Sequence, residues 1–437
     1  MEHHDLNPTR RSLLKSMAAA SSLRCVPAVP LAAGALPDFF DQPDKPVRAD
    51  GHLLPTPDFD RLRASVQFKS GIRPHRRGGV RLERDAEFEQ QTPGRFLIHN
   101  YGHGGAGITL SWGCASVVKD LVADIVREWP RGRSVPVVAI LGGGVMGLTV
   151  ADEVRRLRPK LAINIYRRER SVAETTSYIA GGQFEPSQIW HEYGNPEGPK
   201  LDVLTDYLVR SHAKIQRLQA LPDGGRHRYG VARRPNYTLD QDNDSFGQAT
   251  PCSVVPHYRR GMLPFKHLNV VGRQYETWLM NPKYLLPQMV RDLSVPGIQF
   301  RQKSFTSQAD VKALRETIVV NCLGYGAKQV FGDAQLRARS GHLAVLRNPA
   351  RLGYFFSGGC VARDGGRINA YMFARQDDIV IGGTVYKDDD REQRDTDLDR
   401  RIGALLADNM RLVFEGRPED CVRPPPLPIN GADVAEG

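Results

Sequence analysis

From about residue 68 onward, hydrophobic positions recur in two alternating rhythms. "GGVRLER" and "RFLIHN" set apolar residues on alternate positions or in short runs, as strands do. "CASVVKDLVADIVREW" (Cys114 to Trp129) repeats them every three or four, as an amphipathic helix does. After the polar link "PRGRS", a β-branched run from Val135 to Leu141 enters a glycine turn and leaves as a second helical pattern, "LTVADEVRRLRP". "LAINIYRRER" reads as the next strand and "TIVVNCLGYGA" as a buried strand ending in glycine. "AYMFARQDDIVIGGT" reads as a β-hairpin and "DTDLDRRIGALLADNMRLVF" as a helix. Such alternation predicts a layered α/β protein. Tyr193 to Val270 is polar and interrupted by prolines, which predicts loops and lids, and "RPPPLPINGADVAEG" predicts a loose tail.

Composition sets bounds. The 437 residues, 41% hydrophobic and 25% charged, suffice for two domains or one large two-lobed enzyme. The formal charge of +11 comes from scattered arginines beside many acids, which predicts a solvated surface rather than a polyanion-binding face. The chain has no nucleic-acid-binding motif, and no apolar stretch of the roughly 18 residues that would predict a membrane span. Six cysteines without paired spacing predict neither a disulfide scaffold nor a metal site. Cys114, Cys322 and Cys360 stand in apolar or glycine-rich surroundings, where free cysteine acts as a small hydrophobe.

The first residues carry a separate signal. "PTRRSLLKSMAAASSLRCVPAVPLAAGALP" has Arg10-Arg11, then Leu13-Leu14-Lys15 and an alanine-rich stretch interrupted by Arg24. It resembles a twin-arginine export signal with Ala33-Gly34-Ala35 as the cleavage site, which predicts a periplasmic or extracellular protein. The other reading is a disordered basic tail on a cytoplasmic protein. Neither gives residues 1–60 a part in the fold.

Gly142, Gly144 and Gly147 form G-x-G-x-x-G, enclosing Val145 and Met146, between a buried strand and a helix. The first glycine permits a tight turn and the second lets backbone approach a pyrophosphate. The third lets helix and strand pack closely, with the helix N-terminus facing the phosphates. Glu169, after the second strand, is the expected ribose ligand. Its neighbours Arg167, Arg168 and Arg170 are candidates for phosphate or for solvent. This fingerprint alone leaves FAD and a nicotinamide cofactor both open.

"IHNYGHGGAGITLSWGCA" places Gly102, Gly104, Gly105 and Gly107 within seven positions, too bare a stretch to fill a core. Taken with "GIRPHRRGGVRLER", "VVAILGGGVMGLTVADEV", "ETTSYIAGGQFEPS", "VVNCLGYGAKQVFGD", "SGHLAVLRNP" and "YMFARQDDIVIGGT", it resembles the D-amino-acid oxidase family of flavoenzymes. The resemblance runs from roughly Gly71 to Phe414 apart from the middle. It implies an FAD-binding Rossmann-like domain and a substrate domain with a mixed β-sheet. FAD is then the cofactor, flanked by Thr175, Thr176, Gly182, Gln183 and Gly324. Gly104, Gly105, Ala106, Gly107, Ile108 and Thr109 lie at the flavin's pyrimidine edge, where Thr109 is a hydrogen-bonding candidate.

The order differs from the family's. There the arginine strand and the glycine segment close the chain, whereas here they precede the nucleotide fingerprint. The sequence therefore reads as circularly permuted, the helix Cys114 to Trp129 running into the first nucleotide strand through "PRGRSVP". The rival is a swapped segment completing a neighbouring subunit. The expected domains are an FAD-binding unit of 71–190 with 284–342 and a substrate unit of 191–283 with 343–415, followed by a loose tail, 416–437.

Within the resemblance, Arg73 of "GIRPHR" matches the carboxylate-binding arginine, whose guanidinium forks onto both carboxylate oxygens. Tyr371 matches the pocket tyrosine; its other reading is a strand tyrosine packing by its ring. His99 and His103 are expected in hydrogen-bonded structural roles. Glu185 either points inward, favouring a substrate with a positive group, or is exposed or salt-bridged. The implied activity is FAD-dependent oxidation of a D-amino acid or related amino acid by hydride transfer to flavin N5. It gives an imine and then an oxo acid, with oxygen reduced to peroxide. The alternatives are a dehydrogenase passing electrons to a quinone or carrier, and a non-catalytic flavin-binding protein.

Overall fold

The computed structural model describes residues 41–427 except 49, 63–65, 131–133, 195–197, 223–224, 240–253, 255–258, 362–366 and 390–395. The Arg10-Arg11 segment and residues 428–437 lie outside the described residues. The strands, in chain order, are β1 (Asp41–Pro46), β2 (Gln67–Arg76), β3 (Arg81–Arg84), β4 (Phe96–Tyr101), β5 (Val138–Leu141), β6 (Ile163–Arg167), β7 (Val231–Leu239) and β8 (Arg259–Met262). They continue with β9 (Val271–Met280), β10 (Ile298–Gln302), β11 (Ile318–Asn321), β12 (Leu336–Arg347), β13 (Phe355–Val361), β14 (Arg367–Ala374), β15 (Asp378–Gly382) and β16 (Tyr386–Lys387). The long helices are α1 (Gly107–Arg127), α2 (Val145–Leu157), α3 (Leu201–Gln219), α4 (Pro282–Leu293) and α5 (Thr396–Phe414).

Six strands form one sheet in the order β10-β6-β5-β11-β4-β3, parallel except for β3 at the edge. β5 and β11 are buried throughout, as central parallel strands covered on both faces must be. Val138 and Ile140 face one core with residues of α1, α2, α3 and α4, whereas Ala139 and Leu141 face a second core with Phe305 and Val330. The other sheet runs β1-β8-β9-β7-β13-β14-β15-β12-β16, with β2 beside β12. It is mixed, because β1–β8 and β13–β7 pair in parallel and the rest antiparallel. α5 covers one of its faces through Leu398, Ile402, Leu406, Met410 and Val413.

Several expectations are corrected. Tyr193 to Val270 is not merely irregular: it contains α3 and β7. α3 buries Leu204, Tyr207, Leu208, Ser211, His212, Ile215 and Leu218, a stripe of three- and four-residue spacing. It crosses α1 so closely that a Cβ on Gly113 would stand 1.9 Å from the Tyr207 carbonyl, and the Gly113 N–H donates to Ser211 Oγ (2.7 Å). α1 begins at Gly107 rather than Cys114, so much of the glycine segment is helix. β2 belongs to the larger sheet, not with the nucleotide strands of the 71–190 unit. Residues 41–60 do join the fold: β1 pairs with β8, Leu54 N–H donates to the Pro264 carbonyl (2.7 Å), and Phe59 packs on Phe414.

Residues 416–427 are likewise tied down rather than loose. Val422 exchanges two hydrogen bonds with the Asn409 side chain (2.8 and 2.9 Å), and Tyr386 Oη donates to the Pro425 carbonyl (2.9 Å). Cys360 is not a free hydrophobe, because it forms a disulfide with Cys421 across 61 positions. Cys114 and Cys322 are free and buried. Closing a loop of that length constrains the unfolded chain, so Cys421→Ser is expected to lower stability by about 2–4 kcal/mol. Denaturation midpoints compared with and without reductant check this; identical midpoints would show that the pair is not closed.

Candidate active site

A cavity of about 1750 Å³ lies between the two sheets, larger than the roughly 300–1,000 Å³ typical of a drug-sized ligand's pocket. Its nucleotide half lies beyond the carboxyl ends of β5, β6, β10 and β11, where open parallel sheets bind ligands. Gly142 adopts φ +119°, and a Cβ there would come within 2.2 Å of the Cys322 carbonyl. A Cβ on Gly147 would lie 1.9 Å from the Gly142 carbonyl, so the third glycine serves strand–helix packing and is not on the wall. Gly144 precedes α2 and lines the cavity with Val145 and Met146. Glu169 and Arg168 also line it, paired with each other at 2.9 Å.

Thr175, Thr176, Gly182, Gln183, Gly324, Gly104, Gly105, Gly107 and Ile108 all lie on the wall. Gln183 is only 7% exposed, and neither its amide nitrogen nor its amide oxygen has a hydrogen-bond partner. A buried amide without partners is costly, which points to a ligand that completes it. Ala106 and Thr109 are not on the wall. Thr109 is buried and pins the Gly182–Glu185 segment from behind: its Oγ1 donates to the Glu185 carbonyl (2.8 Å) and accepts from Glu185 N–H (2.9 Å). Its expected contact at the pyrimidine edge is therefore replaced by a structural one.

The larger sheet supplies the other half. The Arg73 guanidinium lies across Gly341 on β12, where a Cβ would come within 2.4 Å of Nη1, and Nη1 donates to the Thr384 carbonyl (3.1 Å). The Tyr371 ring lies in the same way over its cross-strand partner Gly382 on β15 and stacks on Phe373 at 4.5 Å. Leu343, two residues along β12 from Gly341, leans over Gly382 too, so Arg73 and Tyr371 share the cavity face. The two candidate catalytic residues are thus brought together on one wall, each lying over a glycine.

His99 holds a structural role, bonded to Asp85 (2.9 Å) and Asn321 (3.0 Å). His103 differs from its expected hydrogen-bonded role: it lines the cavity, its Nε2 has no partner, and burial pushes its imidazole down to about 3, so it is neutral at physiological pH. Sequence reasoning missed Ser177, whose Oγ accepts from Val145 N–H (3.1 Å), and Lys303 and Ser304 beyond β10. The rule that ligands lie beyond strand carboxyl ends could have found the last two. Arg273 and Tyr275 on β9, just beyond the segment read as loops and lids, also line the wall.

A sequence model of the family described as FAD dependent oxidoreductase matches residues 138–432. The chain belongs to this family of FAD-dependent oxidoreductases, and FAD is its cofactor. A D-amino acid oxidase of Dugesia ryukyuensis is 51% identical over 59 residues, covering 13% of this chain and 18% of that protein. The D-aspartate oxidase of Homo sapiens is 23% identical over 280 residues, 61% of this chain and 73% of that one. The chain thus matches less than a fifth of the length of several curated relatives, though more of others. Among solved structures, iminodiacetate oxidase from Chelativorans sp. BNC1 aligns over 63% of this chain and 79% of that chain, at 16% identity and TM-score 0.40. The residues present fit FAD: a cradle that a Cβ at Gly142 would fill, a helix N-terminus, an acid after β6 and the orphaned Gln183 amide.

Proposed function

We propose that the protein oxidises a D-amino acid or related amino acid to the imine, which water then hydrolyses to the oxo acid with release of ammonia, or of the amine where the nitrogen is substituted. FAD, when bound, takes up the two electrons. The observation that carries this reading is Arg73, a cation laid across Gly341 on the cavity wall beside Tyr371. A planar fork of donors suits a substrate carboxylate, and fixing that end orients the α-carbon. The test is an anaerobic visible-absorption titration of the holoenzyme with D-amino acids. Bleaching of the flavin bands is expected; bands unchanged by every D-amino acid and secondary amine tried would overturn the reading. Stoichiometric peroxide on admitting air would identify oxygen as the acceptor, and its absence a quinone or carrier.

We further infer export by the twin-arginine route. The Arg10-Arg11 segment supports it, as does the Cys360–Cys421 disulfide, since disulfides persist in oxidising compartments. Circular permutation is also part of this reading. The family match begins at 138, yet the preceding segment adds β3 and β4 to the nucleotide sheet and β2 to the larger one within the same chain.

A further inference from the structure

The cavity holds one acid whose charge no described residue answers. Gly182 to Glu185 runs extended against the end of β9: Met280 N–H donates to the Gly182 carbonyl (2.7 Å), and Phe184 N–H donates to the Trp278 carbonyl (2.8 Å). Alternation along an extended segment sends neighbouring side chains to opposite sides. Phe184 is fully buried in the core beside His212, so Gln183 and Glu185 turn the other way, towards the cavity they line. The hydrogen bonds to Thr109 fix the Glu185 backbone in that pose.

Only Glu169 and Glu185 are acidic among the described lining residues, and Glu169 is paired with Arg168. The Glu185 carboxylate has no hydrogen-bond or ion-pair partner among the described residues. Burial alone pushes it up to about 7, and no cation draws it back down, Arg73 included. Glu185 is half-buried on the cavity wall, and a carboxylate there without a protein partner is best satisfied by a ligand that supplies the counter-charge. The loop also places it at the substrate end. Two residues on, Ser187 Oγ stands 2.7 Å from where a Cβ on Gly105 would sit, and Arg73 Cδ stands 3.5 Å from the same point.

Building on the reading of Arg73 as the carboxylate anchor, we propose that Glu185 is the specificity residue for a second, cationic group. The preferred substrate is then a basic amino acid, its carboxylate at Arg73 and its distal ammonium at Glu185. An α-amino group sits beside its own carboxylate and hence close to Arg73. Arg73 lies across Gly341 on β12, whereas the Glu185 segment runs against β9, a strand not adjacent to β12 in the larger sheet, so the acid is better placed for a nitrogen at the far end of the side chain.

The holoenzyme and its Glu185→Gln variant, titrated calorimetrically with three unreactive probes, test this: hexanoate, pentylamine and 6-aminohexanoate. In the variant, pentylamine and 6-aminohexanoate are expected to bind at least tenfold more weakly, with hexanoate unchanged. The kcat/KM ratio of D-lysine to D-norleucine should also fall at least tenfold. Amine affinities within twofold of the parent, equal weakening of all three probes, or no binding of pentylamine to the parent would each overturn the assignment. If hexanoate binding is unaffected by Arg73→Ala while pentylamine still depends on Glu185, the carboxylate anchor fails and the cation site stands.

Discussion

Arg73→Ala is expected to raise KM for carboxylate substrates about a hundredfold or more while leaving FAD content unchanged. A hydrogen bond to a charged group contributes about 1.5–3 kcal/mol, and the fork can make two of them to one carboxylate. FAD is spared because the side chain lies across Gly341 on the larger sheet, whereas the glycine cradle stands on the smaller one. Arg73→Lys keeps the charge but loses the planar fork, so an intermediate loss is expected. The Thr384 carbonyl, which accepts from Arg73 Nη1 at 3.1 Å, loses its partner in the alanine variant. A small drop in thermal stability should accompany the kinetic defect. Steady-state kinetics beside the flavin-to-protein absorbance ratio check this, and an unchanged KM would remove Arg73 from the anchor role.

Much of the nucleotide site was legible because its determinants are local. The strand, the glycine turn and α2 occupy consecutive residues from Val138 to Leu157, so spacing alone placed Gly142, Gly144 and Gly147. What escaped depends on pairing between distant segments. β2 is implied only by the resemblance of "GIRPHR" to an arginine-containing strand, and its place beside β12 is set by a register joining Arg73 to Arg339, which no local pattern records. The glycines beneath the two candidate catalytic side chains, Gly341 and Gly382, gain their meaning only once those strands are aligned. The Cys360–Cys421 pair joins β13 to the segment after α5, which spacing could not reveal.

α3 is a different kind of miss. Its stripe of Leu204, Leu208, Ile215 and Leu218 is plain in the sequence, yet the polar, proline-containing flanks led the whole region to be read as loop. Glu185 was legible as a choice between two orientations. What decided it was Phe184, whose burial in the core fixes the sidedness of its neighbours.

Substitutions at the first two fingerprint glycines are expected to separate holding the fold from holding the cofactor. Gly142→Ala should give protein that is both colourless and less stable. At φ +119° a side chain is strained, and the new Cβ would meet the Cys322 carbonyl at 2.2 Å. That carbonyl follows directly on β11, a central strand bonded on both sides to β5 and β4, so it cannot give way without disturbing the sheet. Gly144→Ala is different. Its φ is −80°, and the nearest atom to the new Cβ is Ser177 Oγ at 3.1 Å, a side-chain atom able to shift by a few tenths of an ångström. The apo form should therefore melt like the parent's apo form. FAD affinity should fall at least tenfold, because the methyl group occupies the space through which backbone approaches the pyrophosphate. Thermal melts of both apo variants, read beside FAD titrations, distinguish the two effects. Equal losses of stability in both would mean that the second glycine, too, is there for packing rather than for the phosphates.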